Sequence, residues 1–321
     1  MLDKHRVLIY KPNQKETAML QKNDLTMVCC GREVTPQEIK DVQETVSLFS
    51  NLSRYELTET ICEHLEWHTA SGSNKFDACL KMLEKLEAKG FIQLPAKRIQ
   101  IKPKTTKIVL TSSTEPEPVI KSIAGGFDNI ILQIVTDKKD IRLWNEYMLR
   151  YHYLGYSQPF GYVTRYFIKG GHKILGCLLF SGAAKSMTVR DKWIGWTINQ
   201  RLRNLAWVIN NSRFLIFPWV SVKNLASHAL GKVARRVRDD WHKKWSFQPV
   251  LMETFVDPKL YHGTCYQASN WECIGMTTGQ GLVRKGETYK TTPKKIYMKP
   301  LVKDFHKILC SENLTGKVEY E

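Results

Sequence analysis

Phe214-Leu215-Ile216-Phe217-Pro218-Trp219-Val220, followed by Lys223-Asn224-Leu225-Ala226-Ser227, decides how the larger part of this chain folds. The first string is an apolar run of strand length, and the second opens a helix on small residues. From Asn224 to Trp241 that helix keeps Leu225, Ala229, Leu230, Val233 and Val237 on one side, and a further strand, Val250 to Val256, comes after it. A strand, a long amphipathic helix and another strand in succession predict a sheet covered by helices. Free amide donors at the helix start favour phosphate, from DNA or from a cofactor pyrophosphate. No glycine-rich loop or Walker-type Lys-Ser pair accompanies them, which argues against nucleotide hydrolysis.

Working outward, Asp140 to Tyr153 reads as a helix, and Gly161 to Ile168 and Lys173 to Phe180 read as paired strands around Lys169-Gly170-Gly171-His172. A helix is expected through Leu202, Leu205, Ala206 and Ile209, and a short one within Gly263 to Trp271. Nearer the N-terminus, Thr35-Pro36-Gln37-Glu38 and Ser53-Arg54-Tyr55-Glu56 each carry capping-box logic. Asn74 to Lys89 is a third helix, closed by Gly90, and Phe91-Ile92-Gln93-Leu94 is a short apolar strand. Three helices and a strand suggest a winged-helix-like unit. The expected organisation is therefore α+β: a winged-helix-like domain over 1–105, a Thr-, Ser-, Pro- and Glu-rich linker over 106–122, a mixed-sheet domain over 123–302 and a tail over 303–321.

The 321 residues include 48 Lys and Arg against 31 Asp and Glu, a formal charge of +17. Residues 1–100 are balanced, with 14 basic and 14 acidic side chains, so the whole surplus belongs to the remainder. Such a surplus favours a polyanion through counterion release, and DNA is the expected partner. At 43% apolar residues the composition is globular. No apolar run approaches the roughly 20 residues that span a bilayer, so no membrane is expected and a cytoplasmic location is. Eight cysteines without a C-x-x-C pair argue for reduced thiols and against a structural zinc site.

Arg190, Arg213, Lys223, Lys232, Arg235 and Arg236 are the expected phosphate contacts, the last three by helical spacing. A solvated helix face accounts for the same spacing. Eight of nine tryptophans lie between Trp144 and Trp271, interleaved with cations as in Arg190-Asp191-Lys192-Trp193-Ile194-Gly195-Trp196. Such faces stack on unpaired bases, although most tryptophans serve packing. Acids are scarce in this half, and Asp191, Glu253 and Asp257 are candidate ligands for Mg2+ or Mn2+ in phosphodiester hydrolysis. The alternative pairs Glu253 with a buried arginine such as Arg213 and makes Asp257 a turn cap. His262 and Cys265 form a candidate nucleophile pair, against the alternative of a structural cysteine.

Tyr151-His152-Tyr153-Leu154-Gly155, Arg190 to Trp196, Asn210-Asn211-Ser212-Arg213-Phe214-Leu215-Ile216, Lys223 to Ser227, Glu253-Thr254-Phe255-Val256-Asp257 and Gly263-Thr264-Cys265-Tyr266 together resemble the DruA family. The family is named for a protein of the Druantia anti-phage system, and related domains occur beside transposases. That resemblance implies a prokaryotic or phage-linked role in defence or mobile-element processing, with nucleic acid as partner. The candidate metal ligands Asp191, Glu253 and Asp257 make DNA nicking one expected activity, and a non-enzymatic scaffold whose neutral N-terminal domain recruits a helicase or transposase is an alternative. The order of helices and strands from His152 to Gly275 also resembles the GNAT acyltransferase superfamily, which implies group transfer from acetyl-CoA. In that family a glycine-rich turn binds the donor pyrophosphate; Lys223-Asn224-Leu225-Ala226 stands there in this chain without the glycines.

Overall fold

The structure is a computed structural model, and it describes residues 26–49, 52–96, 108–127, 129–159, 161–279 and 292–312. Two compact units divide the chain, Met1–Thr69 with Ser73–Gln100 and Ala70–Gly72 with Ile101–Glu321.

In the first unit a hairpin of β1 (Met27–Cys29) and β2 (Arg32–Val34) precedes three helices, α1 (Pro36–Leu48), α2 (Arg54–His64) and α3 (Phe76–Ala88). Both expected capping boxes form: Thr35 and Glu38 bond reciprocally, as do Ser53 and Glu56. Val34, Val42, Leu57, Ile61, Met82 and Leu86 close the core. Gly90 takes the left-handed conformation just past α3 (φ 74°), which a side chain resists. The strand expected at Phe91 to Leu94 is absent; this segment runs without a ladder, and the only strands described in this unit lie ahead of the helices.

The second unit is built on a seven-stranded mixed sheet. Its elements are β4 (Ile130–Ile134), α4 (Lys138–Tyr151), β5 (Thr164–Gly170), β6 (Lys173–Gly182), α5 (Thr188–Ile194), α6 (Ile198–Asn204), β7 (Val208–Ile216), α7 (Leu225–Trp245), β9 (Leu251–Val256), α8 (Thr264–Gln267), β10 (Glu272–Met276), β11 (Lys295–Pro300) and α9 (Phe305–Leu309). The strand order is β10-β11-β9-β7-β6-β5-β4. Every neighbouring pair is antiparallel except β7 and β9, which run parallel. A parallel pair needs a crossover, and α7 supplies it with Leu225, Leu230, Val233, Val237 and Trp241 against the sheet. A separate two-stranded parallel sheet joins β3 (Ile120–Ile123) to β8 (Val220–Lys223).

Three boundaries differ from expectation. Ile209 belongs to β7 and not to a helix, because the chain turns through a single 3-10 turn, Leu205–Trp207, straight into the strand. Residues 108–122 are docked and not a loose linker: Thr111 and Thr114 bind the Glu146 carboxylate, Tyr151 donates to Thr114 O, and β3 pairs with β8. The hydroxyls that read as linker composition are hydrogen-bond donors to a buried acid. The tail begins with α9, whose Phe305 and Leu309 are buried and whose Leu309 O accepts from Asn204 Nδ2; residues 313–321 of the expected tail lie outside the described ones. No helix among the described residues is long and apolar enough to cross a membrane.

Candidate functional site

The site grows from a defect in the sheet. β7 carries a bulge against β6 between the pairs Leu179↔Arg213 and Phe180↔Asn211, leaving Ser212 as the extra residue. A bulge bends its strand and raises its twist. On the other edge of β7, the ladder with β9 stops after three rungs, Val208↔Leu251, Ile209↔Met252 and Asn210↔Glu253. Beyond the last rung the strands part; at the start of the parting Thr254 Oγ1 of β9 donates to Asn211 O (3.0 Å), and Tyr266 Oη from α8 donates to Asn211 Oδ1 (2.8 Å).

A cavity of about 580 Å³ opens in the parting, within the roughly 300–1,000 Å³ of ordinary ligand pockets. Its walls come from β7, β9, the end of α4, the first turn of α7 and the loop leading into α8. Gly263 in that loop has a left-handed backbone (φ 80°), and a Cβ there would collide with the Tyr297 ring. Only glycine lets the loop lie this close to β11.

Arg213 and His152 face the cavity, with His262 and Lys294 also in its wall. Arg213 donates to Ser157 Oγ (2.9 Å) and to the carbonyl of Ser212 (2.7 Å), and no carboxylate pairs with it among the described residues. Burial lowers its affinity for a proton. His152 is pushed down to about 4 by burial and then by the Arg213 charge, so its imidazole is neutral at physiological pH. Its Nδ1 accepts from Leu154 N (3.2 Å), which places the ring proton on Nε2. Tyr153 stacks on His152 and leans on Tyr261, and both tyrosines are about half exposed. Asn210 Oδ1 is buried and lacks a hydrogen-bond partner among the described residues.

Against this geometry the expected site residues separate. Arg190 is not a phosphate contact: it is fully buried, donating to Glu253 (2.8 Å), to Asp191 (2.8 Å) and to Ala184 O (2.8 Å). Asp191 also accepts from Arg201 Nη1 (3.0 Å), Trp196 Nε1 (3.1 Å) and Met187 N (3.2 Å). Burial would raise the Asp191 carboxyl, but the Arg190 guanidinium outweighs it and holds it below the usual carboxylate range. Glu253 is pushed up by complete burial and drawn back by Arg190. Asp191 and Glu253 thus converge on a guanidinium, not on a metal ion. Asp257 stands apart, its oxygens accepting from Lys259 N (3.0 Å) and Thr292 Oγ1 (2.7 Å), the turn-capping alternative. Among the described residues no three His, Cys, Asp or Glu side chains gather as a metal site requires.

Arg236 folds back onto Asp240 (2.7 Å) and Leu132 O (2.8 Å) and is spent on packing. Arg235 is exposed on α7, Lys232 reaches only Asn129 Oδ1 (3.4 Å), and Lys223 is exposed just ahead of the first turn of α7. Cys265 and His262 both reach the cavity wall, but no hydrogen bond joins them, and burial raises the thiol so that it stays protonated. Six of the eight tryptophans from Trp144 onward are buried and the other two half-buried, so they pack the core and offer little face to a base. The sequence reading missed His152, Tyr153, Tyr261 and Asn210 as site residues. The available signal was Tyr151-His152-Tyr153-Leu154, four bulky residues in a row that no single helix face can bury.

A mixed sheet with one parallel pair, parted beyond three rungs and crossed by a long helix, is a mixed α/β architecture. The sequence model of one family, described as Druantia protein DruA, matches residues 85–286, well over half of the chain. This chain belongs to that family. No curated protein matches it. Among solved structures it is similar to the microcin C7 self immunity acetyltransferase MccE in complex with acetyl-CoA and AMP (14% identity, TM-score 0.28, 43% of this chain and 61% of that one). The match spans about three fifths of MccE. Also similar are FeeM, an N-acyl amino acid synthase from uncultured soil microbes (13%, 0.32, 54% and 91%), and an N-acetyltransferase from Staphylococcus aureus (8%, 0.30, 53% and 98%).

Proposed function

We propose that the second unit is a group transferase acting in anti-phage defence, and that the parting between β7 and β9 is its ligand site. The observation that carries the reading is the parting itself: a cavity of about 580 Å³ where two parallel strands cease to pair, with the first turn of α7 in its wall. Only the first four amides of a helix lack internal acceptors, and here His228 N is the first to bond back, to Asn224 O (2.9 Å). The amides of Leu225, Ala226 and Ser227, with exposed Lys223 beside them, suit the diphosphate of an acyl-CoA-type donor. Asn224 takes the left-handed backbone that a glycine would adopt without strain (φ 65°). In the transfer, an acceptor amine attacks the acyl carbon, the carbon–sulfur bond breaks as the carbon–nitrogen bond forms, and the amine proton leaves with the thiol.

Calorimetry with acetyl-CoA and with CoA tests the reading. Heat with both, lost in Lys223→Glu, supports it; no heat with either removes it. A second reading, DNA binding, is supported by the concentration of the whole +17 surplus beyond residue 100 and by exposed Arg235, Lys243 and Lys244 on α7. Anisotropy titrations of labelled DNA at several salt concentrations test it, with a log-log salt slope near zero as the result against it. Metal-dependent nicking by Asp191, Glu253 and Asp257 gains no support from their placement.

A further inference from the structure

Two features at the mouth of the β7–β9 cavity point to one kind of occupant. Tyr153 (45% exposed) and Tyr261 (54% exposed) line it, flanked by exposed Leu154 and Leu260. Exposed aromatic and aliphatic groups gathered around a concavity mark recognition sites, and aromatic rings accept the face of any nucleobase. Arg213 brings a guanidinium to the same cavity that pairs with no carboxylate among the described residues, the group suited to a phosphate or a base edge.

We infer that this mouth binds an unpaired nucleotide. The base stacks against Tyr153 and Tyr261, and Arg213 meets the adjoining phosphate. Asp257 shares the cavity wall, but its oxygens already accept from Lys259 N and Thr292 Oγ1. The excess of basic side chains beyond residue 100 favours a polyanion over a free cationic or neutral aromatic ligand. A base inside a duplex cannot reach the tyrosines, so the strand must be single or the base extruded. The inference deepens the proposed function by naming the chemistry of the acceptor side, and it rests on the cavity being the site.

The test uses the full chain and ten-nucleotide single strands of cytidine or thymidine, with 2-aminopurine placed at the centre of a third strand. Expected results are quenching of 2-aminopurine fluorescence on binding and little binding of the same sequence as a blunt duplex. Tyr153→Leu and Tyr261→Leu should each weaken binding by about five- to a hundredfold, while Tyr153→Phe and Tyr261→Phe keep it, because the ring and not the hydroxyl stacks. Arg213→Ala should flatten the log-log salt slope by about one unit. Single strands that bind equally well to the folded leucine variants, or without quenching, overturn the inference, as does a duplex that binds as tightly as its strand. Titrating CoA into the same variants keeps the two readings apart. CoA heat with no base stacking leaves the donor site and removes this one, whereas stacking without CoA heat does the reverse.

Discussion

Arg190 and Arg213 flank the same seam between β7 and β9, one at its paired stretch and one where it has parted. At the paired stretch every charge has a partner: Arg190 lies between Glu253 and Asp191, and Asp191 also meets Arg201 and Trp196. At the parted stretch Arg213 holds only neutral oxygens, and a neutral histidine sits beside it. The difference lies in the neighbours and not in the residue. An arginine hydrogen-bonded to protein carboxylates holds the fold, whereas one that faces a cavity and bonds only to neutral oxygens is available to something that is not protein.

The largest effect should come from cutting the paired stretch. Arg190→Met strands a wholly buried Glu253 carboxylate, and a broken buried pair costs about 3–5 kcal/mol. Thermal or urea unfolding should show that loss, and adding Glu253→Gln should return part of it. If the single variant melts with the wild type, the contrast between the two arginines fails. Arg213→Ala should do the opposite, leaving the melting temperature within a few degrees while lowering ligand affinity about tenfold or more, the range for losing a charged hydrogen bond. Equal loss of stability in both variants would mean that the parted stretch is structural as well.

Acid sharpens the comparison without mutation. The fold holds His152 at about 4 against an ordinary 6.5, so as the pH falls the unfolded chain takes up that proton first. The contribution of neutral His152 is therefore complete above pH 6.5 and is lost as the pH falls towards 4. His152→Gln should remove that part of the slope from a stability-against-pH curve, and an unchanged slope would place the acid sensitivity elsewhere. The smallest effect belongs to neither stretch: Ser53→Ala deletes the cap of α2 and should cost about 1 kcal/mol in the first unit, read by unfolding, with binding at the cavity unaltered.

Much of the architecture was legible in the chain because it rests on local rules. The two capping boxes, the apolar stripe of α7 and the glycine turn between β5 and β6 each lie within a few residues of one another. Phe91 to Leu94 misled because apolar residues after a helix cap satisfy strand propensity even when no partner strand exists to pair with. The site was legible only in fragments. Glu253, Asp191 and Arg190 were singled out as metal ligands and a phosphate contact; the alternative of a buried arginine partner for Glu253 holds, but the partner is Arg190 and not Arg213, because spacing along the sequence cannot show which charges fold onto one another. Arg213 was named as a phosphate contact and lines the cavity, whereas Tyr153 and Tyr261 are separated by more of the chain than any local pattern spans.

The parallel pairing of β7 with β9 has a further meaning for assembly. Four strands, β4 to β7, can zip up as each follows the last, but β9 joins only after α7 has formed and crossed the sheet. Pairing between segments so distant in the chain is slow, since loop closure precedes any gain from contact. A nascent chain that ends short of Leu251 has therefore completed its antiparallel half while β7 still presents a bare edge, a template for strands of other molecules. The seam that becomes the cleft is the last part of the sheet to close, and until then it is where this protein is most exposed to aggregation.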